Sequence, residues 1–157
     1  MKRIILFLSF LFFFLNIVSQ NNQLEDYLNR GLISYFNKIK ENQEKGIVDS
    51  SFFDDLYLSV DNFPPGYSFE NKIEIKYISL KNNKGYEKEL KKGIWVILLK
   101  KVELKNNQLI IVYTLNKATL KNKKQLSMEL SDSVSCIYEY SCNENKWMLI
   151  NEKYSGV

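Results

Sequence analysis

From residue 94 onward, apolar residues recur at every second position through three long segments, 94–105, 108–120 and 125–141, and a shorter one at 147–154. Asn106-Asn107, "KNKK" at 121–124 and "NENK" at 143–146 separate them. Turns this short join strands antiparallel, and alternation assigns every strand residue to one face or the other. This half of the chain therefore has to be a β-meander, and no other feature limits the fold as much.

The turns can be tested against each other. Centring the first on Asn106-Asn107 sets Leu104 opposite Leu109, Val102 opposite Ile111 and Leu98 opposite Leu115. Centring the second on Asn122-Lys123 sets Leu115 opposite Leu130, Ile111 opposite Val134 and Leu109 opposite Cys136. Both registers leave the same face apolar, with Tyr138, Tyr140 and Cys142 continuing it and Trp147 and Leu149 joining from the last strand.

Upstream the period changes. Leu24, Leu28, Leu32, Tyr35, Phe36 and Ile39 recur at three- and four-residue spacing, with Glu25 and Asp26 in the first turn and Gly46 behind. That pattern predicts an amphipathic helix of about five turns covering the apolar face. Ser51-Phe52-Phe53-Asp54 has the form of a capping box, with Asp in place of Glu. It predicts a short second helix through Phe53, Leu56 and Tyr57, stopped by the prolines of "FPPGY" at 63–67. Residues 72–80 read as one strand. Residues 82–93 read either as a loop with a short strand or as one turn of helix. The fold class expected is α+β, an N-terminal helix and a short second helix packed on a curved antiparallel meander of about four to six strands.

Lys2 and Arg3 followed by the apolar run 4–15, with Ile17 and Ser19 behind, have the layout of a signal peptide cleaved before Gln20. The run is shorter than the ~20 residues a spanning helix needs. The expectation is therefore a signal peptide over 1–19, one domain over 20–157, a secreted or periplasmic destination and no stable membrane anchor after cleavage. Without Lys2 and Arg3 the formal charge falls from +4 to +2. Arg30 is then the sole arginine, and nucleic acid, whose phosphates and bases favour the planar guanidinium, is not an expected partner.

The chain contains no histidine and two cysteines. That excludes Ser-His-Asp and Cys-His catalysis and argues against zinc, so no metal and no cofactor is expected. Cys136 and Cys142 fall on one face of a single strand, roughly 20 Å apart at ~3.3 Å per residue, beyond the ~7 Å that a disulfide spans. They read as unbridged, buried small hydrophobes.

The second sheet face carries Trp95, Ile97 and Leu99, then Ile110, Val112 and Thr114, then Ile137 among serines. Trp95, Ile97, Leu99, Ile110 and Val112 are expected to form one contiguous apolar surface. Either the short helix, the 63–67 loop and the 72–80 strand bury it, or it is a binding surface for a second copy, another protein or a small apolar ligand. Asp54-Asp55 reads as first-turn helix carboxylates rather than a catalytic pair. Arg30 reads as the partner of Asp26, and none of the tyrosines is expected to be catalytic. The lysines at 81–92 and 121–124 read as a solvated rim or a surface for an acidic partner.

A long helix, a shorter one and a meander ending in "NKWMLINEKY" resemble the cystatin-like fold, and within it the nuclear-transport-factor-2-like domains. The resemblance covers most of residues 24–154 and lies in element order and the Trp147-containing last strand. It implies a cone in which the helix packs on the sheet, with small-molecule binding or dimerisation through the other face. Some such domains are isomerases using an Asp base with Tyr and Asp donors, but that constellation maps onto no specific residues here. The function expected is a non-enzymatic exported binding domain. The alternatives are a pocket enzyme of isomerase or hydratase type, using carboxylate and tyrosine, and a secreted inhibitor or immunity protein.

Overall fold

The computed structural model of the protein describes residues 2–47, 50–69, 75–122 and 125–156. Helix α1 (Lys2–Glu44) is followed by a 3-10 helix (Ser50–Asp55) and strands β1 (Leu56–Ser59) and β2 (Lys76–Ile78). A second helix α2 (Glu87–Lys92) leads into β3 (Ile94–Lys105), β4 (Gln108–Asn122), β5 (Gln125–Ser141) and β6 (Lys146–Gly156). The α+β class is as expected. The strands form one sheet in the order β2-β1-β3-β4-β5-β6.

From β3 to β6 the sheet is the antiparallel meander that the turns require. The other edge is not. Strand β1 runs parallel to both β2 and β3. The short second helix is also corrected, because it stops at Asp55 as a 3-10 turn and Leu56 and Tyr57 begin β1. All four β1 residues are buried, and burial on both faces holds them extended where the capping pattern pointed to helix. Of the 72–80 strand, Lys76–Ile78 pairs, and 72–74 lies outside the described residues. The ambiguous 82–93 stretch resolves as α2, entered from Tyr86 and ended by Gly93 at φ 87°.

Registers follow expectation at the first turn, where Leu104 faces Leu109 and Val102 faces Ile111. A bulge between Leu99 and Lys101 then shifts the pairing by one, so Ile97 rather than Leu98 faces Leu115. On the β4–β5 ladder the innermost pair is Asn122 with Gln125, so the pairing is offset by two from the turn onward, and two irregularities, between Leu120/Asn122 and Leu115/Asn116, shift it by one and back again. Ile111 faces Cys136, Leu109 faces Tyr138 and Leu115 faces Asp132, while Leu130 lies opposite Asn116 and is exposed. An offset of two preserves the parity of the faces and the two opposed bulges cancel, which is why Val134, Cys136 and Tyr138 still point inward.

Helix α1 packs on that inward face through Tyr27, Leu28, Leu32, Tyr35, Phe36 and Ile39, over Ile97, Leu99, Ile111, Tyr113, Leu115, Val134, Cys136 and Tyr138. Tyr113 Oη donates to the Leu28 carbonyl at 2.8 Å and Tyr138 Oη to the Tyr27 carbonyl at 3.2 Å. At Gly31 a β-carbon would lie 2.9 Å from the Tyr113 ring and 3.3 Å from Cys136 Sγ, so only glycine lets the helix settle this deep. The 63–67 loop joins the same layer, with Phe63 stacked on Tyr67 at 4.4 Å and Tyr67 Oη donating to Asn29 Oδ1 at 2.6 Å. On the opposite face a smaller cluster gathers Tyr57, Ile78, Leu90, Ile94, Val96, Ala118 and Leu120 beneath α2. Both cysteines are free, as the spacing predicts, but Cys142 is exposed beyond the end of β5 rather than buried.

Candidate functional site

The five residues expected to form one apolar surface are divided between the two faces. Ile97 and Leu99 are buried in the core beneath α1, and Trp95 packs against that core with its ring centroid 5.3 Å from Phe52. Ile110 and Val112 point the other way and belong to neither buried cluster. The bulge at Lys100 causes the split, because one unpaired residue exchanges the faces of everything before it. Of the proposed coverings, the 63–67 loop lies on the α1 side, while Ile78 and Leu80 do join α2 over the second face.

What α2 leaves uncovered is the half of the second face nearer the Asn106-Asn107 turn. Ile110 lies directly opposite Ile137, Val112 opposite Ser135, and Met148, 41% exposed, sits opposite Glu139. Exposed apolar residues also occur at this end on the α1 side, where Leu104 at 68% lies opposite Leu109 and Leu149 at 45% opposite Tyr138, while Ile150 at 49% is the unpaired residue of the β6 bulge. Strand β6 is one edge of the sheet, and among the described residues no further strand pairs with its outer backbone groups. Met148 and Ile150 carry no periodic signal that separates them from core residues, so the alternation pattern did not mark them.

A second group of chemically capable side chains lies on the α1 side, between the helix and β5–β6. The Tyr35 hydroxyl is fully buried and faces the Asp132 carboxylate without completing a hydrogen bond of ordinary geometry. Burial raises the Asp132 carboxyl above its usual range, opposed by the Ser133 N–H at 2.6 Å and by Tyr35. Burial and the Asp132 charge push the Tyr35 phenol up in turn. Nearby, Tyr154 Oη donates to Glu152 Oε2 at 3.0 Å and lies 3.3 Å from Ser34 Oγ, while Glu152 Oε1 is buried without a partner. Burial and the Glu152 charge push the Cys136 thiol up to about 12, which keeps it a protonated, unreactive packing group.

Asp54 is exposed at the end of the 3-10 helix, in a recess of about 280 Å³ lined by Phe53, Asp54, Ile75 and Lys76. Lys76 donates to the Asp54 carbonyl, so the residue is engaged through its backbone. Arg30 pairs with Asp26 at 2.8 Å. Among the described residues no three His, Cys, Asp or Glu side chains are grouped to hold a metal ion. Among the described residues no helix is long and apolar enough to cross a membrane. No protein-family model, curated protein or solved structure matches this chain.

Proposed function

We propose that this protein is an exported, non-enzymatic binding domain that takes a protein partner on the half of its second sheet face left open by α2. The observation that carries this reading is the concentration of exposed or half-buried apolar side chains there. Ile110, Val112, Ile137 and Met148 make a continuous strip that no cover from α2 reaches, flanked on β3 by Lys101 and Glu103. Apolar area gathered at one end of a small domain marks a contact surface more often than chance exposure does. The open edge of β6 adds backbone donors and acceptors that a partner strand can pair with. A nuclear-transport-factor-2-like likeness is consistent with this use of the face opposite the long helix.

The test compares two aspartate substitutions on adjacent strands. Ile97→Asp buries an unpaired charge beneath α1 and unfolds the domain, a loss of several kcal/mol. Val112→Asp lies outside both cores, so its melting temperature stays near that of the parent while association, read by sedimentation or by recovery of the partner, is lost. Collapse of the Val112→Asp fold, or unchanged association, overturns the reading.

A second reading is favoured by one observation, the raised Asp132 carboxyl facing the buried Tyr35 hydroxyl. Such a pair suits a proton-transferring pocket of the isomerase or hydratase type. None of its residues lines the recess at Phe53 and Asp54, so the binding reading stands ahead. Tyr35→Phe separates them: a packing role predicts equal or higher stability, since it deletes an unsatisfied hydroxyl. A ligand that raises the melting temperature of the parent but not of Tyr35→Phe would favour the pocket.

A further inference from the structure

Charge is sorted along the sheet. Near the Asn106-Asn107 turn two lysines are matched with carboxylates, Lys101 with Glu103 at 2.6 Å and Lys146 with Glu144 at 3.3 Å, while Lys100 and Lys105 are exposed outside any of the ion pairs. At the opposite end, Lys84, Lys88, Lys91, Lys92, Lys117 and Lys121 are all exposed, and none is within ion-pair distance of a carboxylate among the described residues. Lys88, Lys91 and Lys92 share one side of α2 at three- and four-residue spacing, with Leu90 turned into the sheet. Lys117 reaches the same end of the sheet from the other face, where it lies opposite Trp95 with its ammonium 5.8 Å from the centre of that ring. Against its three lysines α2 carries two glutamates, which leave the helix a formal charge of +1. Glu87 accepts the Gly85 N–H at 3.0 Å, and one oxygen of Glu89 is buried.

We propose that the α2 end of the sheet is a membrane-facing surface, which holds the domain electrostatically against a bilayer rich in anionic phospholipid. Three observations select that partner. The cations are all lysines, compact charges on flexible stems, and the planar arginine fork that reads phosphate or carboxylate one at a time is missing. They are spread over a loop, a helix and a strand end, and the recess described in the structure is lined by none of the six. Tyr77, 38% exposed, and half-buried Tyr86 lie in the same region, joined by a 3.1 Å bond from Tyr86 Oη to the Tyr77 carbonyl. Tyrosine beside lysine suits the water–lipid boundary, and each lysine near an anionic leaflet adds about fivefold in affinity. This surface is separate from the apolar strip at the other end, and either can fail without the other.

The test is co-sedimentation of the full chain with phosphatidylglycerol–phosphatidylcholine vesicles and with phosphatidylcholine vesicles alone. The ratio of the two affinities removes the hydrophobic contribution of the apolar N-terminal run, and the charges of Lys2 and Arg3 are common to the parent and both triple variants. The expected ratio is well above a hundredfold at low salt and falls toward one as salt is raised to about 0.5 M. Combined Lys88→Gln, Lys91→Gln and Lys92→Gln lowers it on the order of a hundredfold. Combined Lys101→Gln, Lys105→Gln and Lys146→Gln, the same change in net charge, lowers it far less. A parent ratio near one, an equal effect of the two triple variants, or displacement from the vesicles by polyglutamate at matched charge overturns the proposal, the last in favour of an acidic protein. Circular dichroism checks both variants, and if the first does not fold, the salt series on the parent and the second variant decide the matter.

Discussion

The same three long strands reach both ends of the sheet, and the ends finish in opposite ways. At the α2 end, β3 is apolar on both sides, with Ile94 and Val96 under α2 and Ile97 beneath α1. There the chain adds a helix to cover the second face and leaves its lysines unmatched. At the turn end no described element covers the second face, apolar side chains reach solvent, and two of the lysines are matched with glutamates. One end spends its apolar residues on stability and its charge on the surroundings, whereas the other does the reverse. Hydrophobicity alone would not separate them, because a buried Leu90 and an exposed Leu104 are the same residue.

The largest expected effect tests that contrast directly. Leu90→Ala leaves a cavity beneath α2 and costs about 2–5 kcal/mol. Leu104→Ala changes stability by less than about 0.5 kcal/mol, since its side chain is 68% exposed. Similar costs at the two sites, measured by urea denaturation, would erase the distinction between a covered and an open end.

A smaller effect concerns the two carboxylates that fasten the middle of the molecule. Burial would raise Asp61, but hydrogen bonds from Ser79 Oγ, the Lys81 and Leu80 N–H groups and Ser59 Oγ outweigh it and hold the carboxyl below its usual range. A depressed folded value means its contribution is present above the ordinary carboxylate range near 4 and is lost as pH falls through the folded value. Asp132, raised by burial, has the opposite sign, and its protonation on acidification favours the folded state. Asp61→Asn should therefore cost about 1 kcal/mol at neutral pH, reduced by solvent exposure, and the penalty should shrink in acid. Asp132→Asn should stabilise at neutral pH and lose that advantage in acid. Melting temperatures across the acidic range check both, and parallel curves for the two variants would contradict the assignment.

The smallest effect sharpens the charge contrast. Lys88 sits in the first turn of α2, where the helix end is positive, and four residues before Lys92. Lys88→Gln should raise stability by a few tenths of a kcal/mol. Glu103→Gln, which breaks an exposed pair at the other end, should leave the melting temperature unchanged within error. A loss of stability in Lys88→Gln would show a compensating partner for that lysine.

The α+β class, the four long segments and both turn-defined hairpins were readable in the sequence, because half-buried strands alternate and Asn-Asn and Lys-rich turns interrupt them. The helix covering was readable too, since Leu28, Leu32 and Phe36 sit at helical spacing. The apolar surface was not. Residues 94–99 are apolar without a break, so alternation there carries no phase. The single unpaired residue Lys100 sets which three of the six face α1, and nothing about a lysine among lysines announces a bulge. Ile110 and Val112 were placed correctly on the second face because their phase was counted from the adjacent turn. Phase counted through the bulge was lost for Trp95, Ile97 and Leu99. The parallel β1 was hidden for another reason. Its four residues resemble a helix start locally, and only the sheet beside them selects the extended form.

Gly31 has a mechanical meaning. Its missing side chain makes a notch in α1 that receives the Tyr113 ring, with Tyr113 and Tyr138 tied to carbonyls one turn earlier. A screw motion of the helix by one residue, about 1.5 Å along its axis, would bring Arg30 or Leu32 into the notch, and neither has room for a β-carbon there. The helix is thereby indexed on the sheet like a key on a single tooth. It can tilt about that point, but it can advance only by lifting off altogether. Any pull along the segment before Leu24 then meets a steric stop at Gly31 in addition to the packed side chains and the two tyrosine hydrogen bonds.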